Sequence, residues 1–355
     1  ALTEQISSLI EKISETVHES LSNTLPKENL DDLAVTLKET RSQKASIHEI
    51  VDRLDELGQT KMVDTRALQR QTDLVDALKE LNWVLSNGPT GVGRANYGLY
   101  FTGSNKMTWA QQYPLNNFTA PTVVQWQSSA PEQALGLINS HIRHQIDNLK
   151  LIRRAELEAA GKYDPAAHDL EIATLDWEKL TLDERGSIPP VILIGEREDI
   201  NSAGWQSLGK LLESELPIKI VLLDHIAPPA KNAVHNLTQS YTGLLNAIVM
   251  KQAMVFQGAI NEPSHLAKGL LNGLAAAKPA LLNLYAFSEK EHGAEATKAQ
   301  AYANLAVNSR TFPLLYFNSD KEHGFLNGSI DLDANRETRE DWVTEDIPLP
   351  NEESL

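Results

Sequence analysis

Apolar residues recur at every third or fourth position near the start of the chain, a spacing typical of amphipathic helices. The first stripe covers residues 2 to 22, where seven apolar side chains share one face. Further helices are predicted over about 28 to 41, from Ser46 to about 57, and over about 64 to 85. With their single apolar stripes, these helices are natural docking elements. Residues 1–87 are therefore predicted to form a helical module.

The second half of the chain alternates short apolar runs with helical patterns, which is typical of βαβ units. A long helix is predicted from Ser129 to near Gly161, after an ordered, loop-rich segment over 94–127 that contains a strand-like piece at 122–124. Continuously apolar strands separated by helices predict a parallel sheet covered on both faces. The strand-like runs of this part are 191–194, 218–223, 254–256, 281–285 and 314–317, and the helices between them are predicted up to about 213 and over about 239–251, 264–276 and 294–306.

These patterns divide the chain into three parts. The helical module ends at residue 87, and an α/β domain follows over 88–330. Residues 162–188 are acidic and are predicted to be an irregular surface excursion of that domain, and 331–355 form an acidic tail.

Composition excludes several classes of function. The chain has 355 residues, 41% of them hydrophobic, and a formal net charge of -16, the wrong sign for binding nucleic acid or an anionic membrane. It contains no cysteine, so disulfides, thiolate zinc sites, cysteine nucleophiles and cysteine-ligated iron–sulfur clusters are excluded. No apolar run approaches the roughly 20 residues that span a bilayer, and no signal-peptide pattern begins the sequence. A soluble cytoplasmic protein is expected.

Residues 305–320 carry a resemblance to a known family. They read Leu-Ala-Val-Asn-Ser, then Pro-Leu-Leu-Tyr and Asn-Ser-Asp, and resemble the end of the thiamine-diphosphate-binding domain of pyruvate:ferredoxin oxidoreductases. Lys298, Gln300 and His292-Gly293 stand where that family has its Lys, Gln and His-Gly. The likeness extends over roughly 90–345. It implies an α/β, three-layer thiamine-diphosphate-binding-like fold with a mostly parallel sheet.

The first strand of that family ends in Gly-Gly-Asp-Gly, whose aspartate binds Mg²⁺ and whose glycines let the backbone approach the diphosphate. The matching run here is Gly195-Glu196-Arg197-Glu198-Asp199. The resemblance implies that Gly195, Glu196 and Asp199 are remnants of this site, with Glu196 the candidate replacement for the aspartate. Arg197 takes the place of the second glycine and adds bulk at the diphosphate position.

The other ligands of the family are altered as well. Asp224 follows the next strand as in the family, but Ala230 stands at the position of a metal-binding Asn and offers no side-chain oxygen. The family's cluster-binding cysteine falls at about Glu289. The resemblance therefore implies a degenerate site with no cofactor expected. Arg197 and Lys231 are candidate contacts for an anion in the former diphosphate cleft.

Four other patterns are weaker. His141 and His144 lie three apart on the long helix without a third ligand, and are predicted to be surface histidines. The run 331–335 begins like a calcium loop but lacks the required glycine and glutamate. The glycines of 88–93 follow a helix and predict a helix stop rather than a phosphate loop. Asp224 with His225 at a strand's carboxyl end is a possible acid–base pair, but no serine motif accompanies it.

The leading expectation is a degenerate thiamine-fold domain that acts as a structural or regulatory module of a larger oxidoreductase-like protein or of a homodimer. One alternative is a 2-oxoacid oxidoreductase that still uses thiamine diphosphate and Mg²⁺, with Glu196 and Asp199 on the metal and the electron carriers on another chain. The other is a module that binds an anionic metabolite. For the leading expectation neither nucleic acid nor a membrane is a partner, and no catalytic residue is assigned.

Overall fold

A computed structural model of the chain describes most of its residues and divides them into two compact units. The helical unit comprises residues 1–95 and 141–187, and the sheet unit comprises 96–140 and 188–355. The predicted helices over 28–41 and 46–57, together with Asp199, Lys231 and most of the predicted tail, lie outside the described residues. The described ranges are 2–24, 65–102, 118–125, 130–197, 202–214, 216–226, 244–319 and 330–336.

The helical unit is built on the three long helices whose apolar stripes predict them. Helix α1 is Leu2–Thr24, α2 is Thr65–Ser86 and α3 is Ala130–Ala159, of which residues 141 onward belong to this unit. Helices α1 and α2 pack against each other. Their buried stripes and that of α3 are Ile6, Leu9, Ile13 and Val17, then Leu68, Leu74, Val75, Leu78 and Leu81, then Ile142, Ile146, Leu149 and Ile152.

Residues 162–188 were predicted to be irregular, but this segment is largely helical. It contains α4 (Pro165–Ala173), a 3-10 turn at Trp177–Lys179 and α5 (Leu182–Gly186). Short capping motifs start these helices: Asp164 accepts from the Ala166 N–H, and Thr181 and Glu184 form a capping box. The prediction failed because these helices are too short to show a helical period. Their boundaries are set by capping residues.

The sheet unit holds an eight-stranded mixed sheet as far as the structure describes it. Its spatial order is β2-β1-β3-β4-β6-β5-β7-β8. Strands β1 to β6 pair in parallel, whereas β7 runs antiparallel to both of its neighbours. This confirms the predicted α/β class with a mostly parallel sheet. The strands are β1 (Gly98–Thr102), β2 (Thr122–Gln125), β3 (Val191–Glu196), β4 (Ile218–Asp224), β5 (Met254–Gly258), β6 (Ala280–Tyr285), β7 (Leu315–Phe317) and β8 (Ile330–Asp331).

Helices follow these strands as the alternating pattern predicts. The parts of the chain that the structure describes include α6 (Ser202–Glu213), α7 (residues 244–250), α8 (Pro263–Ala275), α9 (Glu289–His292) and α10 (Ala299–Asn308). Helix α8 packs on β5 and β6, and α10 contributes to a core cluster with Tyr285 and Phe312. No described helix is long and apolar enough to cross a membrane.

Strand β1 is the main element that the sequence analysis missed. It lies inside the sheet between β2 and β3, and its Tyr100 and Phe101 are almost fully buried. The signal was only three residues long, Leu99 to Phe101, in a segment otherwise rich in polar residues. Its place in the sheet comes from pairing with β3, a partner about 90 residues away that local patterns cannot reveal.

Lys219 is a fully buried cation at the amino end of β4. Its ammonium group donates to the Ala276 carbonyl and, at 2.8 Å, to the Lys278 carbonyl. The Ala276 carbonyl follows directly on the last turn of α8, where the helix dipole favours a positive charge, and Lys278 lies in the loop just beyond it. The lysine thus ties β4 to the end of α8.

Burial lowers the pKa of Lys219 from 10.5 to about 8. Between these values the unfolded chain keeps a proton that the folded protein has released, so stability rises as the pH increases. We expect the wild type to gain about 2 kcal/mol relative to Lys219→Met between about pH 7.5 and pH 10. Urea unfolding of both proteins at the two pH values measures this difference. Parallel profiles would show that Lys219 keeps an ordinary pKa.

Candidate functional site

The carboxyl ends of the central strands form the natural ligand-binding edge of this sheet. The connection after β1 leads to β2 on one side, whereas the connection after β3 leads to β4 on the other. Open α/β sheets bind ligands outside such a switch point. Glu196 and Arg197 stand at this edge, one at the end of β3 and the other directly after it.

Gly195 is required by a neighbouring strand. It pairs with Thr102 of β1, and a Cβ at this position would lie 2.7 Å from the Thr102 Cγ2. The close approach of β1 therefore explains this glycine without a ligand.

Arg197 and Asp224 form a buried ion pair. The Arg197 Nε donates to the Asp224 Oδ1 over 2.7 Å, and the side chains are 11% and 0% exposed. Because both side chains are removed from water, the geometry of the pair matters more than it would at the surface. The guanidinium that the sequence assigned to an anion contact is thus engaged by a carboxylate of the same chain.

A row of amide side chains continues from this pair across the sheet. Asn283 on β6 donates its Nδ2 to the Asp224 Oδ2 at 3.2 Å and to the Gln257 Oε1 at 2.8 Å. Gln257 on β5 donates to the Pro313 carbonyl at 2.6 Å, which fixes the orientation of both amides. We call Arg197, Asp224, Asn283 and Gln257 the polar row; it joins β3, β4, β6 and β5.

Glu196 and His225 lie close together at the same edge. The Glu196 Oε1 is 3.9 Å from the His225 Nε2, and both residues are buried. The His225 Nδ1 lies 2.8 Å from the Ala286 carbonyl, which can only accept, so the proton belongs on Nδ1. The His225 Nε2 therefore faces Glu196.

The motif residues His292 and Gly293 have structural roles. His292 stacks on Phe287 at 4.7 Å between ring centroids, and its Nε2 lies 3.0 Å from the Tyr285 hydroxyl. Burial, followed by the charges of Tyr302 and Asp224, raises the pKa of Tyr285 to about 12. Gly293 ends α9 in the left-handed conformation with φ of 64°. These aromatic rings pack against one another at the carboxyl end of β6.

Other candidates from the sequence also receive structural explanations. Glu289, at the position of the family's cysteine, accepts from the Ala296 N–H at 2.8 Å. Asp331, in the run that begins like a calcium loop, forms a 3.0 Å ion pair with Lys268 of α8. The 88–93 loop ends α2, as predicted, with Gly93 donating to the Asn87 carbonyl.

His141 differs from its prediction as a surface residue. It is half-buried, and burial, then the charges of Arg94 and His144, lowers its pKa. Arg94 in turn donates to Gln145 and to the Ser187 carbonyl. Within the described ranges no three His, Cys, Asp or Glu side chains are grouped to hold a metal ion.

Sequence reasoning found Glu196, Arg197 and Asp224 but missed Asn283 and Gln257. A signal was present, because each is a lone amide in a run of apolar residues that predicts a buried strand.

Comparison with models of known protein families and with curated proteins finds no match to this chain.

Proposed function

We propose that the sheet unit is a degenerate thiamine-fold domain that acts as a structural or regulatory module of a larger oxidoreductase-like protein or of a homodimer. The observation that carries this proposal is the buried Arg197–Asp224 pair with its 2.7 Å contact. It stands at the edge where the resembling family holds Mg²⁺ and the diphosphate.

The described residues at this edge do not fit that cofactor. A Mg²⁺ ion takes six oxygen ligands at about 2.1 Å in octahedral geometry, and the protein usually supplies one or two of them as carboxylates. The Asp224 oxygens accept instead from Arg197 and Asn283, and Glu196 is 2% exposed beside His225. Releasing Asp224 would leave the guanidinium buried without its partner, at a cost of about 3–5 kcal/mol. The polar row stabilises the sheet itself, as expected of a domain with a structural or regulatory role.

Two other functions remain as outcomes of the test. An active thiamine enzyme would place Glu196 and Asp199 on the metal. A binding module for an anionic metabolite would use Arg197 and Lys231, although Asp224 already neutralises the first of these cations.

The test is the thermal unfolding midpoint of the full chain with millimolar thiamine diphosphate and Mg²⁺. We expect no shift of the midpoint relative to Mg²⁺ alone, because the polar row already engages Asp224 at this edge. A ligand at about 100 times its dissociation constant stabilises a protein by roughly 2.7 kcal/mol, which would raise the midpoint by several degrees. A Mg²⁺-dependent rise with thiamine diphosphate would overturn the proposal. A rise with pyrophosphate alone would favour the anion-binding module.

A further inference from the structure

A groove on the helical unit lies between the start of α1, the second half of α3 and the helices α4 and α5. It encloses about 930 Å³, within the range of sites that hold a small organic molecule. Its lining residues belong to the helical unit alone, so the groove is independent of the sheet edge and of the function proposed for it.

The floor of the groove is apolar. Leu149 and Ile152 on α3 and Ile172 on α4 line it, each less than 9% exposed, and Leu2 and Leu157 form half-buried walls. A hydrocarbon body of several carbons would lie on this floor between the half-buried walls, and the apolar area that it removes from water contributes about 25 cal/mol per Å².

The rim of the groove carries an excess of negative charge. Arg153 and Glu184 neutralise each other through two hydrogen bonds of 2.7 Å. The remaining charged groups in the lining are three acids, Glu156, Glu171 and Asp183, and one base, Lys162. Glu156 accepts from the neutral amide of Gln5 at 2.8 Å.

The carboxylates of the groove act on Arg153. Its hydrogen bond to Glu184 is the largest cause that raises the pKa of Arg153, burial lowers it, and the charges of Glu184, Glu171 and Glu156 raise it further. An anion would be repelled from this groove, whereas a cation would be attracted.

We propose that this acidic groove binds a small organic cation, an alkylammonium whose hydrocarbon body lies on the apolar floor and whose ammonium group lies among Glu156, Glu171 and Asp183. The hydrocarbon supplies affinity by burial, and the carboxylates supply selectivity for positive charge. The ligand class is a free amine, because a groove of about 930 Å³ lies within the range of small-molecule sites.

Calorimetric titration of the full chain with n-octylammonium, below its micelle concentration and at low salt, tests the proposal. We expect a dissociation constant below about 1 mM, and binding of octanoate at least about tenfold weaker, since the two probes share a chain and differ in charge. Failure of octylammonium to bind, or equal binding of octanoate, would overturn the proposal.

A charge variant locates the site. Glu171→Gln/Asp183→Asn should weaken octylammonium binding about tenfold, whereas the matched control Glu178→Gln, an exposed acid outside the groove lining, should leave it unchanged. If the rim variant binds as tightly as the wild type, the amine binds elsewhere and the assignment is wrong. The comparison of the two probes on the wild type does not depend on the folding of either variant.

Discussion

Replacement of Asp224 by alanine is expected to lower the free energy of unfolding by about 3–5 kcal/mol, the largest effect of a single change at the sheet edge. The variant keeps Arg197 buried but removes the carboxylate that neutralises it. It also removes an acceptor of the Asn283 amide. Urea unfolding measures the free energy, and an unchanged slope with denaturant would show that the folded state keeps its compactness.

The double variant Arg197→Met/Asp224→Leu separates the ion pair from the fold around it. Replacing both charges by apolar side chains removes the uncompensated cation, so most of the stability lost in Asp224→Ala should return. Asp224→Asn is the intermediate case, because an amide keeps the shape and loses the charge. If the double variant is as unstable as the sum of the two single changes, the pair does not carry the effect assigned to it.

Much of the fold follows from periodicity. The stripes that predict α1 and α2 match the buried residues of the helical unit, and the apolar runs after residue 190 match β3 to β7 within one or two residues. These signals are strong because a long amphipathic helix or a strand buried on both faces repeats one physical requirement along its length.

The parts that could not be predicted have two different causes. Strand β1 takes its place from pairing with β3, a partner distant in sequence. The helices of 162–188 begin at local caps but are too short to show a helical period.

The candidate site shows the same division. The sequence pointed to Gly195, Glu196, Arg197 and Asp224 as one site through the family resemblance of the runs that carry them. It could not show that Arg197 turns onto Asp224, or that Gly195 is explained by Thr102. Position follows from topology, whereas the partner of a charge depends on side-chain geometry in three dimensions.

The second large effect is expected where helix α8 packs very closely on strand β5. Gly269 on α8 lies directly over Phe256 of β5, and a Cβ on this glycine would come within 2.0 Å of the ring. Phe256 is fully buried, it packs on His265, and Gly258 leaves room for its other edge. The ring is therefore in close contact with Gly269, Gly258 and His265.

Gly269→Ala is accordingly expected to lower the free energy of unfolding by about 3 kcal/mol, the upper end of overpacking, although alanine favours a helix over glycine by about 1 kcal/mol. Gly136→Ala on α3 is the matched control. A Cβ there meets no heavy atom within 4 Å, so the same change should stabilise the protein by up to about 1 kcal/mol. Phe256→Leu should relieve part of the clash, so that its combination with Gly269→Ala costs less than the sum of the single changes. Urea unfolding of the four variants measures these terms. Stabilisation by both alanine substitutions would show that α8 does not lie on Phe256 as closely as the structure places it.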